Sequence, residues 1–95
     1  MYASIRRYKV SSVDEVARRA SEGFVPLISQ GPGFIAYYIV DAGDGVVASI
    51  SLFETQAGAE ESNSMAADWV KENIAPLVSG PPEITAGEVK VHKVK

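Results

Sequence analysis

The sequence predicts an α+β fold in the order β-α-β-β-α-β, a four-stranded antiparallel sheet with two helices on one face. Three observations predict it. Gly33 to Thr55 contains two β-rich runs, FIAYYIVD and VVASISLFE, joined by AGDG; this is a hairpin whose turn is somewhat longer than the tightest type. A run of helical periodicity lies on each side of that hairpin. Finally, FVPLISQGP (Phe24 to Pro32) is echoed by IAPLVSGPP (Ile74 to Pro82) fifty residues later. Each copy closes a helix and precedes a strand, so β-α-β occurs twice, the split pattern of a ferredoxin-like sandwich.

Ninety-five residues are expected to form one domain, residues 1–95. A net charge of −3 without a basic block argues against nucleic acid as a partner. With no cysteine, disulfides, thiolate catalysis and Cys-ligated metal are excluded. That absence fits a cytoplasmic location. MYASIRRYKV has no apolar core of a signal peptide, and no apolar run approaches the ~20 residues of a membrane helix.

Tyr2 to Val10 alternates as a strand. Tyr2, Ser4, Arg6, Tyr8 and Val10 share one face, and Ala3, Ile5, Arg7 and Lys9 the other. Neither row is purely apolar, so the buried side stays open. Ser12 with Glu15 forms a capping box at the first helix start. Val13, Val16, Ala17, Ala20, Phe24, Leu27 and Ile28 recur at helical spacing. Asp14 with Arg18, and Glu15 with Arg19, are i,i+4 pairs on a solvated face. Pro26 should bend or end the helix, and Gln30-Gly31-Pro32-Gly33 stops it.

In the hairpin, Phe34, Ala36, Tyr38 and Val40 share a face, opposite Ile35, Tyr37, Ile39 and Asp41. Val46, Ala48, Ile50 and Leu52 form a clean apolar row, and Val47, Ser49, Ser51 and Phe53 a mixed one. Such a strand is expected to be central, with both faces covered. Thr55 caps the second helix, and Glu60 and Glu61 suit its positive end. Ala59, Ser62, Ala66, Trp69, Val70, Asn73 and Leu77 form its sheet-facing stripe. Pro76 interrupts and Gly80-Pro81-Pro82 ends the element. Ile84 to Val94 reads as the last strand, at an edge guarded by Lys90, Lys93 and Lys95.

Two helices cover only one face of such a sheet. The other carries apolar and aromatic side chains in any register, a patch that monomers seldom leave bare. A second copy, packed sheet on sheet as a C2 homodimer, is the expected cover.

The element order, the PGF that opens the second strand and the long second helix with its central Trp resemble the dimeric α+β-barrel proteins. The stretch SNSMAADWVKEN (Ser62 to Asn73) resembles the second-helix segment of the antibiotic biosynthesis monooxygenase-like family and its small relatives. The resemblance covers nearly the whole chain. It implies a fold shared by cofactor-independent oxygenases, haem-degrading enzymes, isomerase-like proteins and members without established activity. The haem-degrading members combine a helix Trp with a later helix His and a strand Asn. Here the second helix has no His and the first strand no Asn, which disfavours that role.

Four residues are candidates for a ligand site: Trp69, Asn73, Ser62 and Arg6. Trp69 serves either core packing or the wall of a small-molecule cleft. Ser62 and Asn73 interrupt the apolar stripe and either bond backbone or point at a ligand beside Trp69. Arg6, Tyr8, Ser49 and Ser51 form a polar patch if the register brings them together, and at most one of Tyr37 and Tyr38 can join it. His92, the only histidine, sits among charges near the C-terminus, and one His without Cys is no metal site. No nucleophile elbow or phosphate-binding loop is present. No catalytic residue is assigned, and neither a cofactor nor a metal is expected. The resulting expectation is a homodimer that binds a small apolar or aromatic molecule in a helix–sheet cleft without turnover. The alternative implied by the resemblance is a cofactor-independent monooxygenase-like or isomerase-like enzyme acting on an aromatic or polyketide-like substrate. Trp69 would then shape its cleft, while Ser62, Asn73 and Arg6 orient polar groups or stabilise an enolate-like anion.

Overall fold

The computed structural model describes residues 1–95. Strands β1 (Tyr2–Lys9), β2 (Phe34–Gly43), β3 (Val46–Phe53) and β4 (Glu83–Glu88) form one antiparallel sheet in the order β2-β3-β1-β4. The first helical run, 13–28, has three parts: α1 (Val13–Arg19), a π turn (Ala20–Phe24) and α2 (Val25–Ile28). The second is α3 (Gln56–Asn73), followed by a 3-10 turn (Ala75–Leu77). This is the ferredoxin-like arrangement, with β3 and β1 central and β4 at an edge. No helix is long and apolar enough to cross a membrane.

Local signals placed most of the ends. The Ser12 hydroxyl accepts from the Glu15 N–H, and the Thr55 hydroxyl from the Gly58 N–H. Only half of the capping box forms, because the Glu15 carboxylate turns to Arg18 and Arg19 instead. Asp14 makes no ion pair with Arg18, whose second partner is Glu22. Pro26 does not end its helix. The preceding π turn, in which the Val25 N–H bonds the Ala20 carbonyl, shifts the ladder so that Pro26 falls in the first turn of α2, where no N–H is required. Glu60 and Glu61 lie beyond the first turn of α3, past the reach of the helix-end field.

The hairpin turn is tighter than expected. Asp44 and Gly45 form a two-residue loop, with φ of 55° and 74°, as a type I′ connection requires. Ala42 and Gly43 belong to the strand, where a register irregularity takes up the extra residue. A second irregularity at Ile35 moves Phe34 to the face of Tyr37 and Ile39, because one inserted residue reverses the alternation. There Phe34 meets Phe53 edge to face, centroids 5.7 Å apart.

The helices cover the Ser4, Arg6, Tyr8 row of β1, Val10 just beyond its end, and the mixed row of β3. The clean row, Val46, Ala48, Ile50 and Leu52, is only half-buried and lies on the uncovered face with Tyr38 and Val40. The core between the layers joins Tyr8, Val10, Val47 and Phe53 to Val16, Ala20, Phe24 and Ile28 from the first helical run and to Ala59, Ala66 and Trp69 from α3. Phe24 and Ile74, which open the two echoed segments, are both buried.

The final strand stops at Glu88 and does not reach Val94. Its partner β1 begins at Tyr2, which pairs with Glu88, and the last ladder bond runs from the Val89 N–H to the Met1 carbonyl.

Candidate functional site

Arg6 stands at the centre of the covered sheet face and is 1 % exposed. It pairs in register with Ser49 of β3 and Ile84 of β4. Its Nη2 donates to Ser49 Oγ at 3.0 Å and to Ser51 Oγ at 2.7 Å. Its Nη1 donates to Asn63 Oδ1 at 2.7 Å, with a longer contact to Ser4 Oγ at 3.4 Å. Ser4 Oγ also donates to Asn63 Oδ1, at 2.5 Å. The Tyr37 hydroxyl joins through Ser49, oxygen to oxygen 2.7 Å. Four residues from three elements thus cradle one guanidinium. The register brings the anticipated patch of Arg6, Tyr8, Ser49 and Ser51 onto one face, with Tyr37 and not Tyr38 as the added tyrosine.

Burial lowers the pKa of the Arg6 guanidinium, against the pull of nearby Tyr8 and Tyr37. It raises both phenols, while Arg6 draws them back toward their ordinary values. The tyrosines therefore stay neutral around a buried cation.

A cleft of about 310 Å3 opens beside this cradle. Arg6, Tyr8 and Ile84 belong to its sheet side, and Asn63, Ala67, Val70 and Lys71 to α3. The segment after α3 supplies Ala75, Val78, Gly80 and Pro82. That segment is fastened to the end of β1 by bonds from the Ser11 N–H to the Leu77 carbonyl and from the Ser79 N–H to the Lys9 carbonyl, 2.9 and 2.8 Å. The cleft is apolar along its walls and polar at one corner, as small-molecule sites are.

The other sequence-selected residues lie elsewhere. Trp69 packs on Phe24, centroids 5.6 Å apart, and lines a separate apolar cavity of about 30 Å3 with Tyr8, Tyr37 and Val47. That holds little more than one water. Tyr8 and Val70 border both spaces. Ser62 is buried, but its hydroxyl donates to the Ala59 carbonyl of its own helix at 2.6 Å. Asn73 is exposed; its Nδ2 donates to the Trp69 carbonyl at 2.9 Å. It is the last residue of α3, and Ile74 takes the core position beyond it. Neither Ser62 nor Asn73 lines the cleft. The polar residues of α3 that do are Lys71 and Asn63, and Asn63 stands one position from Ser62. Sequence periodicity set it outside the stripe, and only its reach to Arg6 singles it out. His92 is exposed, outside any strand.

With this geometry the chain can be set beside solved proteins. A protein of unknown function from Nitrosomonas europaea superposes with a TM-score of 0.80 at 23 % identity, over 99 % of this chain and 93 % of that one. A Streptomyces coelicolor monooxygenase, solved with the ligand nanaomycin D, gives 0.77 at 16 %, over 99 % and 91 %. A dimeric ferredoxin-like protein from an uncultured marine organism gives 0.75 at 10 %, over 99 % and 98 %. The fold is the one shared by antibiotic biosynthesis monooxygenase-like proteins and their ferredoxin-like relatives. No family model matches the chain, and no curated protein matches it significantly. At these identities the likeness carries the fold, and the chemistry must be read from the site.

Proposed function

We propose that this protein is a homodimer that binds a small apolar or aromatic molecule in the cleft between α3, β1 and the segment 75–82, without turnover. The cleft itself carries the reading. Its volume of about 310 Å3 reaches the range of small-ligand pockets, roughly 300–1,000 Å3. Its walls are apolar, and its polar corner, Arg6 with Asn63, is held rigidly enough to orient a ligand. The bare row of Val46, Ala48, Ile50 and Leu52 supports the dimer, since a standard interface buries ~800 Å2 per partner and this face offers contiguous apolar surface. The dimeric ferredoxin-like neighbour has the same fold. A chain without cysteine suits a reducing cytoplasm.

The second reading, a cofactor-independent oxygenase-like or isomerase-like enzyme, draws on one specific observation: monooxygenases, one of them described as a cofactor-independent oxygenase from Streptomyces nogalater, share the fold. A buried guanidinium at the cleft wall suits an enolate-like charge.

Titration with 2-naphthol and 1,8-dihydroxyanthraquinone, followed by Trp69 fluorescence and by mass spectrometry of the ligand in air, separates the readings. Saturable binding with an unchanged ligand mass supports the binder. An oxidised or rearranged product supports the enzyme. No saturable response to either compound overturns both.

A further inference from the structure

Arg6 is a buried cation without a counter-ion. The ion pairs of the molecule join Arg18 and Arg19 to Glu15, Arg18 to Glu22 and Lys90 to Glu88, all on the surface. The side-chain partners of Arg6 are hydroxyl and amide oxygens. These dipoles hold Nη1 and Nη2 in place but leave a full positive charge in a desolvated layer. Its Nε–H is buried with no acceptor at all. Buried charges are ordinarily paired, and orphaned buried donors are rare.

The surroundings are polarised the same way. Around the cleft stand two cations, Arg6 and Lys71, and no Asp or Glu. The chain has 12 acidic residues against 9 Lys and Arg, so an acid-free cleft runs against its overall composition. A charge left unpaired beside a ligand-sized space is complementary to a ligand of opposite sign, which it can meet through charge-assisted hydrogen bonds.

Building on the cleft reading above, we infer that the ligand is a small monoanion with its charge on oxygen, an aromatic carboxylate or an equivalent oxyanion, and that Arg6 is its counter-cation. The charged oxygen sits at the guanidinium, and the apolar body lies along Val70, Val78 and Ile84. Ser4, Ser49, Ser51 and Asn63 position the guanidinium without neutralising it, which keeps the charge available to the ligand. A carboxylate among them would have cancelled it.

The test compares 2-naphthoate with 2-naphthamide, nearly identical in shape and different in charge, by calorimetry at pH 7 on the wild-type protein and on R6Q and K71A variants. Naphthoate should bind wild type at least roughly tenfold more tightly than the amide, the scale on which charge-assisted hydrogen bonds exceed neutral ones. The preference should vanish in R6Q and persist in K71A. Should R6Q fail to fold, wild type and K71A still decide, because Arg6 is then the remaining cation of the cleft. Equal binding of both compounds to wild type overturns the anion inference and leaves the cleft reading standing. A preference that survives R6Q, or disappears with K71A, overturns the assignment to Arg6. Binding of neither compound overturns the cleft reading, and this inference with it.

Discussion

The Arg6 guanidinium on β1 donates to the side-chain oxygen of Asn63 on α3 at 2.7 Å, across 57 positions of sequence. That bond fastens the long helix to the middle of the sheet and fixes one edge of the cleft. Asn63 contributes an oxygen without a charge, so Arg6 keeps its own. Asn63→Asp should supply the missing counter-ion. Stability should rise by ~1 kcal/mol, the gain of a charged over a neutral acceptor less desolvation, and naphthoate binding should be lost. Asn63→Leu should instead cost ~1–3 kcal/mol by orphaning a buried charged donor. Urea melts and calorimetry of both variants check this.

Ser51 and Ser62 are both fully buried and should behave differently. Ser51→Ala removes the 2.7 Å acceptor of Arg6 Nη2 and should cost ~1–3 kcal/mol. Ser62→Ala removes a bond made within its own helix, offset by the better helix propensity of Ala. Together with the exposed change Asn73→Leu, it should stay within ~0.5 kcal/mol of wild type. A large loss at Ser62 or Asn73 would mean that those side chains face partners other than the backbone.

Gly58 opens α3 where the chain crosses Phe53 most closely. A Cβ there would lie 2.9 Å from Phe53 Cδ2 and 3.1 Å from the Pro32 carbonyl oxygen. Phe53 is itself locked by burial at 1 % exposure. Gly58→Ala should therefore lower stability by ~1–2 kcal/mol, overpacking outweighing a helix-propensity gain of ~1 kcal/mol. A higher melting temperature would contradict this packing.

Ile50 sits at the middle of the uncovered face, paired with Ile5 and Tyr38. Ile50→Asp should leave the monomer folded, because the residue is not in the core between the layers, while breaking a sheet-to-sheet dimer by burying a carboxylate against apolar surface. Sedimentation should show a shift from dimer to monomer, with the far-UV spectrum retained. A wild-type protein that is monomeric at all concentrations would remove the dimer.

Alkaline pH probes the buried phenols. Burial raises the folded-state pKa of Tyr8 above the ordinary 10.0, so the unfolded chain releases that proton first. Stability should be full below pH 10 and fall as pH rises toward the folded value. Arg6, whose folded-state pKa burial lowers, acts in the opposite sense, adding stability as pH rises above its folded value. Tyr8→Phe should flatten the decline in melting temperature between about pH 9 and 11; an unchanged slope would exclude Tyr8 as its source.

The element order, both helix caps, the turn residues and the central position of β3 were legible in the chain, because each rests on contacts within a few residues. The Ser12 and Thr55 caps, the alternation of Val46 to Phe53 and the Gly-Pro stops are of this kind. So was the polar row of β1 and β3, though not what it does. Period-two alternation sorts residues into two faces but does not say which one the helices cover. In β1 both rows mix polar with apolar residues, and in β3 the cleaner apolar row is the one left outside. That choice belongs to the tertiary structure, for a physical reason. Burying Arg6 becomes tolerable only when Ser49, Ser51 and Asn63 arrive from β3 and α3 to hold it, leaving Ile50 and its neighbours on the uncovered face. The site was decided at the same level. Periodicity pointed to Ser62 and Asn73, whose polar groups their own helix satisfies, whereas Asn63 reaches Arg6 only once α3 lies across the sheet.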